Sequence, residues 1–289
     1  MKRSLMLIIL AGLIAGFTIE HIVYLQHKPE YRMNDNLGLL NNLGAAEDVK
    51  ITIVYDNNAY DQRLETAWGF ACYVETAEEK ILFDTGGDPE ILFDNMRVLG
   101  ISVEEIEIII LSHIHGDHVG SLSAILEENS EVTVYAPASF PSYFKNKVRD
   151  FGCSLVEVGK AQKICNGVIT TGELGSEIKE QSLVVRSSRG LVVITGCAHP
   201  GVANIVEEVI ELTNMNIYLV IGGFHLSGSS EQEIKSVMER FRSLNVTSVA
   251  PCHCSGEGAK QVFKNAFGSE YIDTGVGRVI EIKSRSVDC

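Results

Sequence analysis

The most specific pattern in this chain is the stretch Leu111-Ser112-His113-Ile114-His115-Gly116-Asp117-His118-Val119-Gly120. It continues from the segment Ile106–Leu111, which is apolar except for Glu107 and predicts a buried β-strand. Because side chains alternate along extended backbone, His113 and His115 point the same way while Ile114 faces the core. Two imidazoles can then reach one metal ion. The chain next turns through Gly116 toward a helix, which places Asp117 and His118 where they can bind a second ion beside the first.

The other histidines of this region also follow predicted strands. The chain has eight histidines, two of them in the N-terminal segment. His199 follows the predicted strand Leu191–Ile194, His225 follows Asn216–Ile221, and His253 follows Thr247–Ala250. Loops at the carboxyl ends of strands in an α/β sheet converge on one crevice. The pattern therefore predicts one site that gathers histidines from all of these loops.

From Val49 onward, β-branched runs alternate with segments of helical periodicity. This mixture predicts a layered α/β domain with two sheets packed face to face and helices outside. The predicted strands are Ile51–Tyr55, Phe70–Glu75, Ile81–Phe83, Ile106–Leu111, Val132–Tyr135, Leu183–Arg186, Leu191–Ile194, Asn216–Ile221, Thr247–Ala250 and Arg278–Ile282. The predicted helices are Pro89–Leu99, Val119–Glu127, Val202–Leu212, Gln232–Leu244 and Gly258–Phe267.

Composition narrows the class of protein. The chain has 289 residues, of which 45 % are hydrophobic and 21 % charged, and these values are typical of a folded globular protein. The net charge of −14 disfavours non-specific binding to nucleic acid, which needs a basic surface. The seven cysteines form an odd, scattered set in a chain too long to need disulfide stapling. We expect a small-molecule substrate and no nucleic-acid partner, and the sequence leaves the oligomeric state open.

The segment Leu111–Gly120 resembles the His-x-His-x-Asp-His signature of the metallo-β-lactamase superfamily. The resemblance extends upstream to Ile81-Leu82-Phe83-Asp84-Thr85-Gly86 and covers most of the chain after residue 50. It implies an αββα sandwich with a mono- or dinuclear metal site at one edge. Three later motifs are similar to the branch named for 7,8-dihydropterin-6-methyl-4-(β-D-ribofuranosyl)aminobenzene-5′-phosphate synthase: Gly196–Gly201, Gly222–Leu226 and Pro251–Gly256.

The resemblance also implies roles for single residues. The implied ligands of a first ion are His113, His115 and His199, and those of a second ion are Asp117, His118 and His253. Asp84 is implied to hold a ligand imidazole by a hydrogen bond instead of binding the ion itself. Many dinuclear members carry a bridging aspartate in the fourth motif, where this chain has His225. We expect His225 to bind metal, contact substrate or polarise an intermediate.

Further residues flank the expected site. Cys197, Cys252 and Cys254 can in principle bind a soft metal as thiolates. Alternation with His253 favours instead that Cys252 and Cys254 point away from the site and pack as small apolar side chains. Gly222 and Gly223 lack side chains and so permit close approach of the backbone to a ligand. Asn204 lies in the first turn of a predicted helix, where an anionic group of the substrate can dock.

These ligand types predict a hydrolytic enzyme with one or two divalent ions. Imidazole and carboxylate suit zinc, our first expectation, and also iron or manganese. A metal with an open position lowers the pKa of bound water to about 7, so we expect hydrolysis of a small phosphoester, lactone or related ester. Asp117 is expected to orient or deprotonate that water. The alternatives are a dihydropterin-type synthase that condenses with loss of pyrophosphate, and a non-catalytic, membrane-tethered metal-binding sensor.

Residues 1–26 are expected to form a signal anchor. Lys2 and Arg3 precede the apolar run Leu5–Ile19, and extension through Leu25 reaches the length of about 20 residues that a spanning helix needs. The positive-inside rule then places the large domain on the outer face of the membrane. A cleaved signal peptide that exports the domain is the alternative. Residues 27–48 are expected to be a linker, and residues 49–289 the metallo-β-lactamase-like domain.

Overall fold

The computed structural model describes residues 43–46 and 48–283, all of which belong to the unit Asn42–Cys289. The expected N-terminal hydrophobic helix and signal anchor, residues 1–26, lie outside the described residues. Within the described part, no helix is long and apolar enough to cross a bilayer. Leu43 is buried, and its carbonyl accepts a hydrogen bond from the N–H of Gly167 at 2.6 Å. The end of the expected linker therefore packs on the domain.

Two β-sheets form the centre of the described chain. The strands are β1 (Val49–Asp56), β2 (Phe70–Glu75), β3 (Lys80–Phe83), β4 (Ile108–Ile110), β5 (Thr133–Pro137), β6 (Ser154–Val158), β7 (Lys160–Cys165), β8 (Val168–Gly172), β9 (Leu183–Ser187), β10 (Gly190–Thr195), β11 (Ile217–Gly223), β12 (Ser248–Cys252) and β13 (Val279–Ile282). The first sheet has the order β13-β1-β2-β3-β4-β5-β6, and the second has the order β12-β11-β10-β9-β8-β7. Pairing is parallel from β3 to β6 and from β10 to β12.

Helices cover the outer faces of both sheets. They are α1 (Pro89–Leu99), α2 (Gly116–Val119), α3 (Leu122–Glu128), α4 (Ser142–Asp150), α5 (Val202–Thr213), α6 (Glu231–Ser243) and α7 (Glu257–Phe267). The carboxylate of Asp88 caps α1 by accepting hydrogen bonds from the N–H groups of Glu90 and Ile91, and Gly100 ends this helix with φ 73°. Ser230 and Glu233 form a capping box at the start of α6. The expected αββα sandwich is confirmed for the domain.

The main core lies between the two sheets. On β2, Phe70, Cys72 and Val74 join this core, whereas Ala71 and Tyr73 pack against the helices on the other side. Because both faces of β2 are covered, every residue of the strand before Glu75 is buried, and its boundaries are those predicted from the sequence. Each large apolar side chain buried in this way stabilises the fold by about 1.5–3 kcal/mol.

The carboxyl ends of β3, β4, β10, β11 and β12 meet at one edge of the sandwich. The first sheet contributes the loops that begin at Asp84 and Ser112, and the second contributes the loops that carry His199, His225 and His253. Side chains from the loops of both sheets therefore lie close together at this edge of the sandwich.

Candidate metal centre

A first group of ligands combines the two sheets. Nε2 of His113 and Nδ1 of His115 are 3.0 Å apart just beyond β4. His199, from the loop between β10 and α5, brings a ring nitrogen to the same place, and the three nitrogens lie within 4.8 Å of one another. These are the three residues expected to share the first ion.

A second group lies beside the first. One atom each from Asp117, His118 and His253 lie within 4.8 Å of one another. Oδ2 of Asp117 is 3.6 Å from Nε2 of His118 and 3.5 Å from Nε2 of His253. Nε2 of His253 is buried and has no hydrogen-bond partner among the described residues. A buried polar atom without a partner costs free energy, so this nitrogen fits a position that a cation completes.

The separations within both groups suit a shared divalent ion. Two ligands of one tetrahedral zinc ion, each bonded at 2.0–2.1 Å, are about 3.3 Å apart. The measured separations are 3.0, 3.5 and 3.6 Å. Five imidazoles and one carboxylate are also a donor set that zinc, iron and manganese accept. The residues present therefore fit the metal that the fold implies.

Electrostatics keep these groups in the protonation states that bind metals. Burial, with the neighbouring His118, lowers the pKa of His113 to about 3. Burial, with the neighbouring His253, lowers the pKa of His118 to about 4. Burial alone would raise the pKa of Asp117, but its contacts with His253 and His118 outweigh this and hold the pKa below its usual value. At neutral pH the centre therefore offers neutral His113 and His118 imidazoles and an ionised Asp117.

Asp84 supports the second group from behind. Its carboxylate accepts hydrogen bonds from the N–H of Ser112 at 2.6 Å and from its hydroxyl at 2.7 Å. It also lies 2.7 Å from Nδ1 of His118, so Nε2 of that ring faces the centre. Burial raises the pKa of Asp84 to about 7. The structure thus places Asp84 behind a candidate ligand, where the sequence predicted it.

Glu180 supports the first group in the same way, although no sequence pattern predicted it. This buried carboxylate accepts hydrogen bonds from the N–H groups of Cys197, Ala198 and His199, at 3.0, 2.8 and 2.9 Å. It also lies 2.9 Å from Nδ1 of His199. Burial would raise the pKa of Glu180, but His199, His113 and the backbone N–H groups lower it to about 2. Its polar loop between β8 and β9 has no periodicity that marks it in the sequence.

Cysteines approach the centre more closely than expected. Cys252 is buried between the sheets, as predicted. Cys254 differs from the prediction, because its sulfur lies within 4.8 Å of a ring nitrogen of His225 and the sulfur of Cys197. The chain leaves the strand at Cys252 and makes a 3₁₀ turn over His253–Ser255, so the alternation of extended backbone does not continue. His225 itself is exposed, with its ring centroid 4.6 Å from that of His199.

Gly223 and Asn204, which were expected to lie near a ligand, contact other parts of the protein. A Cβ atom on Gly223 would lie 2.3 Å from the carbonyl oxygen of Gly196, so this glycine allows two protein loops to pack together. The side chain of Asn204 donates to the carbonyl of Pro200 at 2.7 Å and accepts from Arg240 at 2.8 Å. Both ends of this amide thus have partners within the protein, and docking of a substrate anion at this helix start stays a prediction.

An aromatic side chain stands at the rim of the centre. Trp68 precedes β2, is 57 % exposed, and has its ring centroid 4.8 Å from the ring of His253. It is the single tryptophan of the chain. Nothing in the local sequence pattern marked it, because its neighbour His253 lies far along the chain.

Comparison with known proteins agrees with this fold. Residues 69–223 match the family model described as Metallo-beta-lactamase superfamily, and this range includes the His-x-His-x-Asp-His motif. The chain therefore belongs to the metallo-β-lactamase superfamily, as the sequence predicted.

Individual relatives cover nearly the whole domain. A 7,8-dihydropterin-6-methyl-4-(beta-D-ribofuranosyl)-aminobenzene-5'-phosphate synthase of Methanocaldococcus jannaschii is 27 % identical, over 84 % of this chain and 100 % of the relative. The crystal structure of Tm1679, a metal-dependent hydrolase of the beta-lactamase superfamily, is 29 % identical with a TM-score of 0.68, covering 81 % of this chain and 99 % of that one. YhfI from Bacillus subtilis shares the fold at 15 % identity, with a TM-score of 0.59 and coverage of 81 % and 99 %.

Proposed function

We propose that the protein is a metal-dependent hydrolase that cleaves a small phosphoester, lactone or related ester with water as the nucleophile. The observation that carries this proposal is the pair of adjacent ligand groups, one with three histidines and one with Asp117, His118 and His253. Divalent ions held there, of which zinc is our first expectation, would polarise a substrate oxygen. They would also lower the pKa of bound water enough for hydroxide to form near neutral pH.

The protein's own groups have separate tasks in this reaction. The Asp117 carboxylate is ionised and its side chain is 23 % exposed, so it can orient the attacking water and accept its proton. His225 is exposed beside His199 and is placed to contact the substrate. Asp84 and Glu180 fix the orientation of His118 and His199, so that the unbonded ring nitrogens face the centre. The likeness to Tm1679 supports hydrolysis.

A synthase of the dihydropterin type is the second candidate. Two observations favour it. The match to the synthase covers the full length of that relative and 84 % of this chain, and the exposed Trp68 offers an aromatic face beside His253. A planar pterin ring can stack on such a face. In this reaction the ions held by these residues would bind a pyrophosphate leaving group instead of polarising an ester.

The test of these functions is metal analysis followed by turnover assays on the full-length protein. Hydrolysis of generic phosphodiesters or lactones that stops with a chelator supports the hydrolase. Pyrophosphate release that requires both a hydroxymethyl-dihydropterin diphosphate and an aromatic amine supports the synthase. Bound metal with neither activity would favour the sensor, and a protein without bound metal would overturn all three.

We also propose that residues 1–26 hold the domain at the outer face of a membrane. The support is the charge and apolar pattern from Lys2 to Leu25. The full chain should remain with membranes at alkaline pH in carbonate, whereas a chain that begins at Asn41, and so keeps the buried Leu43, should not. A mature chain that starts after residue 20 would show cleavage and export instead.

A further inference from the structure

The geometry points to Cys197 as a further protein ligand of the metal centre, where its thiolate would bind the same ion as His118. This inference rests on the proposed function, because it needs an ion at those residues. Many dinuclear members have an aspartate in the fourth motif, where this chain has His225. Cys197 would supply an anionic ligand in its place.

Distance is the first argument. The sulfur of Cys197 is 3.2 Å from Nε2 of His118, which is closer than Oδ2 of Asp117 at 3.6 Å. A sulfur and a nitrogen that share one tetrahedral zinc ion, at bond lengths of 2.3 Å and 2.0–2.1 Å, are about 3.6 Å apart. Ligand atoms of His113, His118 and Cys197 also lie within 4.8 Å of one another. The sulfur therefore stands close to both ligand groups.

The direction of the His118 ring is the second argument. Its Nδ1 is engaged by Asp84 at 2.7 Å, so Nε2 is the nitrogen available to a metal. Cys197 approaches that same nitrogen. When a divalent ion takes the place between them, the thiol proton leaves to solvent as the sulfur bonds the ion.

Rigid placement is the third argument. The N–H groups of Cys197 and His199 are held by the same buried carboxylate, Glu180, at 3.0 and 2.9 Å. Cys197 is only 5 % exposed, so its sulfur has little room to turn away. The loop thus presents Cys197 toward His118 and His199 toward the first group.

Charge is the fourth argument. The two ligand groups together contain five imidazoles and a single carboxylate, Asp117. Two dications held in a mostly buried pocket repel each other strongly unless anionic ligands offset their charge. A thiolate at Cys197 adds one negative charge beside His113 of the first group and His118 of the second.

Cobalt titration of the metal-depleted full chain tests the assignment. We expect two bound equivalents and a thiolate-to-cobalt charge-transfer absorption in the near ultraviolet that appears with one of them. Cys197→Ser should abolish this absorption and weaken that binding step at least about tenfold. Cys197→Asp should restore the second equivalent without the absorption. The matched control is Cys252→Ser, because Cys252 is buried in the core between the sheets and belongs to none of the ligand groups; it should keep the absorption.

Several results would overturn the inference. Two bound cobalt ions without a thiolate band, or a band that survives Cys197→Ser, would remove Cys197 from the site while leaving the proposed function intact. Loss of the band in Cys254→Ser would move the ion to the cysteine pair. Absence of bound cobalt would overturn the proposed function as well. Cadmium-113 resonance of the wild-type protein gives an independent readout that needs no variant: one of two signals should have the downfield shift of a sulfur ligand.

Discussion

At the scale of single residues, backbone strain is concentrated at the metal centre. Of the non-glycine residues with positive φ in the described chain, four belong to the centre: Asp84 (57°), Ala198 (63°), His225 (54°) and His253 (47°). The other two are asparagines, which tolerate this conformation. Such conformations cost about 1–3 kcal/mol each and persist where the surroundings enforce them. Here the main chain is bent so that side chains from separate strands converge.

Loss of His115 should remove one ion without unfolding the domain, because the ring sits in a loop at the sheet edge and is only partly buried. We expect His115→Ala to bind about one equivalent less metal and to lose more than about a hundredfold in turnover, beyond the effect of losing an outer partner. Elemental analysis and far-ultraviolet circular dichroism measure the two effects. His27→Ala, a histidine outside the domain, is the matched control. Unchanged stoichiometry in His115→Ala would remove this residue from the site.

Neutralising Glu180 should weaken metal binding by the first group, because Glu180 holds the His199 ring in place. Glu180→Gln keeps the size of the side chain but leaves fewer acceptors for three N–H groups and the His199 ring. We expect metal affinity to fall about 10–100-fold and the free energy of unfolding to fall by about 1–3 kcal/mol. Isothermal titration and urea unfolding provide the values. Glu231→Gln, on the exposed surface of α6, should change stability by less than about 0.5 kcal/mol. Equal effects of the two changes would contradict a specific role for Glu180.

At the scale of elements, the sequence predicts those segments whose burial produces a clear pattern. β2 and α1 have the predicted boundaries, since β2 is covered on both faces and α1 carries an N-cap, Pro89 and a terminal glycine. The edge strands β6 and β7 were not predicted, because most of their residues are exposed or half-buried and form no apolar run. The buried strand β8 was also missed, because only Val168 and Ile169 of its five residues are apolar side chains that mark a strand. α4 was missed because Val148 is its one buried residue.

The same limit applies to the site. A histidine that follows a strand can be recognised from the local sequence, and the structure brings the six histidines after residue 100 together. Glu180, Trp68 and the sulfur of Cys254 reach the centre through contacts between distant loops, which no local period encodes. The predicted helix Val119–Glu127 became α2 and α3, because the turn that carries Asp117 and His118 is itself helical.

The loop after β11 depends on a residue without a side chain. In Gly223→Ala the new Cβ would lie 2.3 Å from the Gly196 carbonyl and 2.7 Å from the Cys254 sulfur. We expect a loss of about 1–3 kcal/mol in the free energy of unfolding, together with weaker metal binding. Gly258→Ala, in the first turn of α7 where the nearest atom lies at 3.9 Å, should stabilise by up to about 1 kcal/mol. Chemical unfolding and metal titration measure both effects in the two variants. A Gly223→Ala protein as stable as wild type would show that close packing against Gly196 and Cys254 does not require a glycine here.

At the scale of the whole domain, the metal centre connects the two sheets. His113, His115, Asp117 and His118 follow the first sheet, whereas His199 and His253 follow the second. Each ligand group therefore contains residues from both sides of the sandwich. Ions bound by both groups would have to be released before the sheets could separate, so we expect metal binding to contribute to the stability of the fold.

Removal of metal should therefore lower the thermal midpoint. Ligand present at about 100 times its dissociation constant stabilises a protein by about 2.7 kcal/mol, which corresponds to roughly 5–10 °C for a domain of this size. Calorimetry with and without a chelator measures the shift, and re-addition of zinc should reverse it. His115→Ala should show a smaller shift than wild type. An identical midpoint in chelator and in zinc would show that the ions do not hold the sheets together.

The position of Trp68 gives the protein an internal optical probe. All tryptophan emission from the chain originates at this single indole, whose centroid is 4.8 Å from the ring of His253. Paramagnetic cobalt or manganese near that ring should quench the emission, whereas diamagnetic zinc should leave most of it. An aromatic compound that covers the exposed face should shift the emission maximum even when zinc is already present. Arrival of a metal and arrival of an aromatic molecule thus have separate fluorescence signatures in the unlabelled wild-type chain.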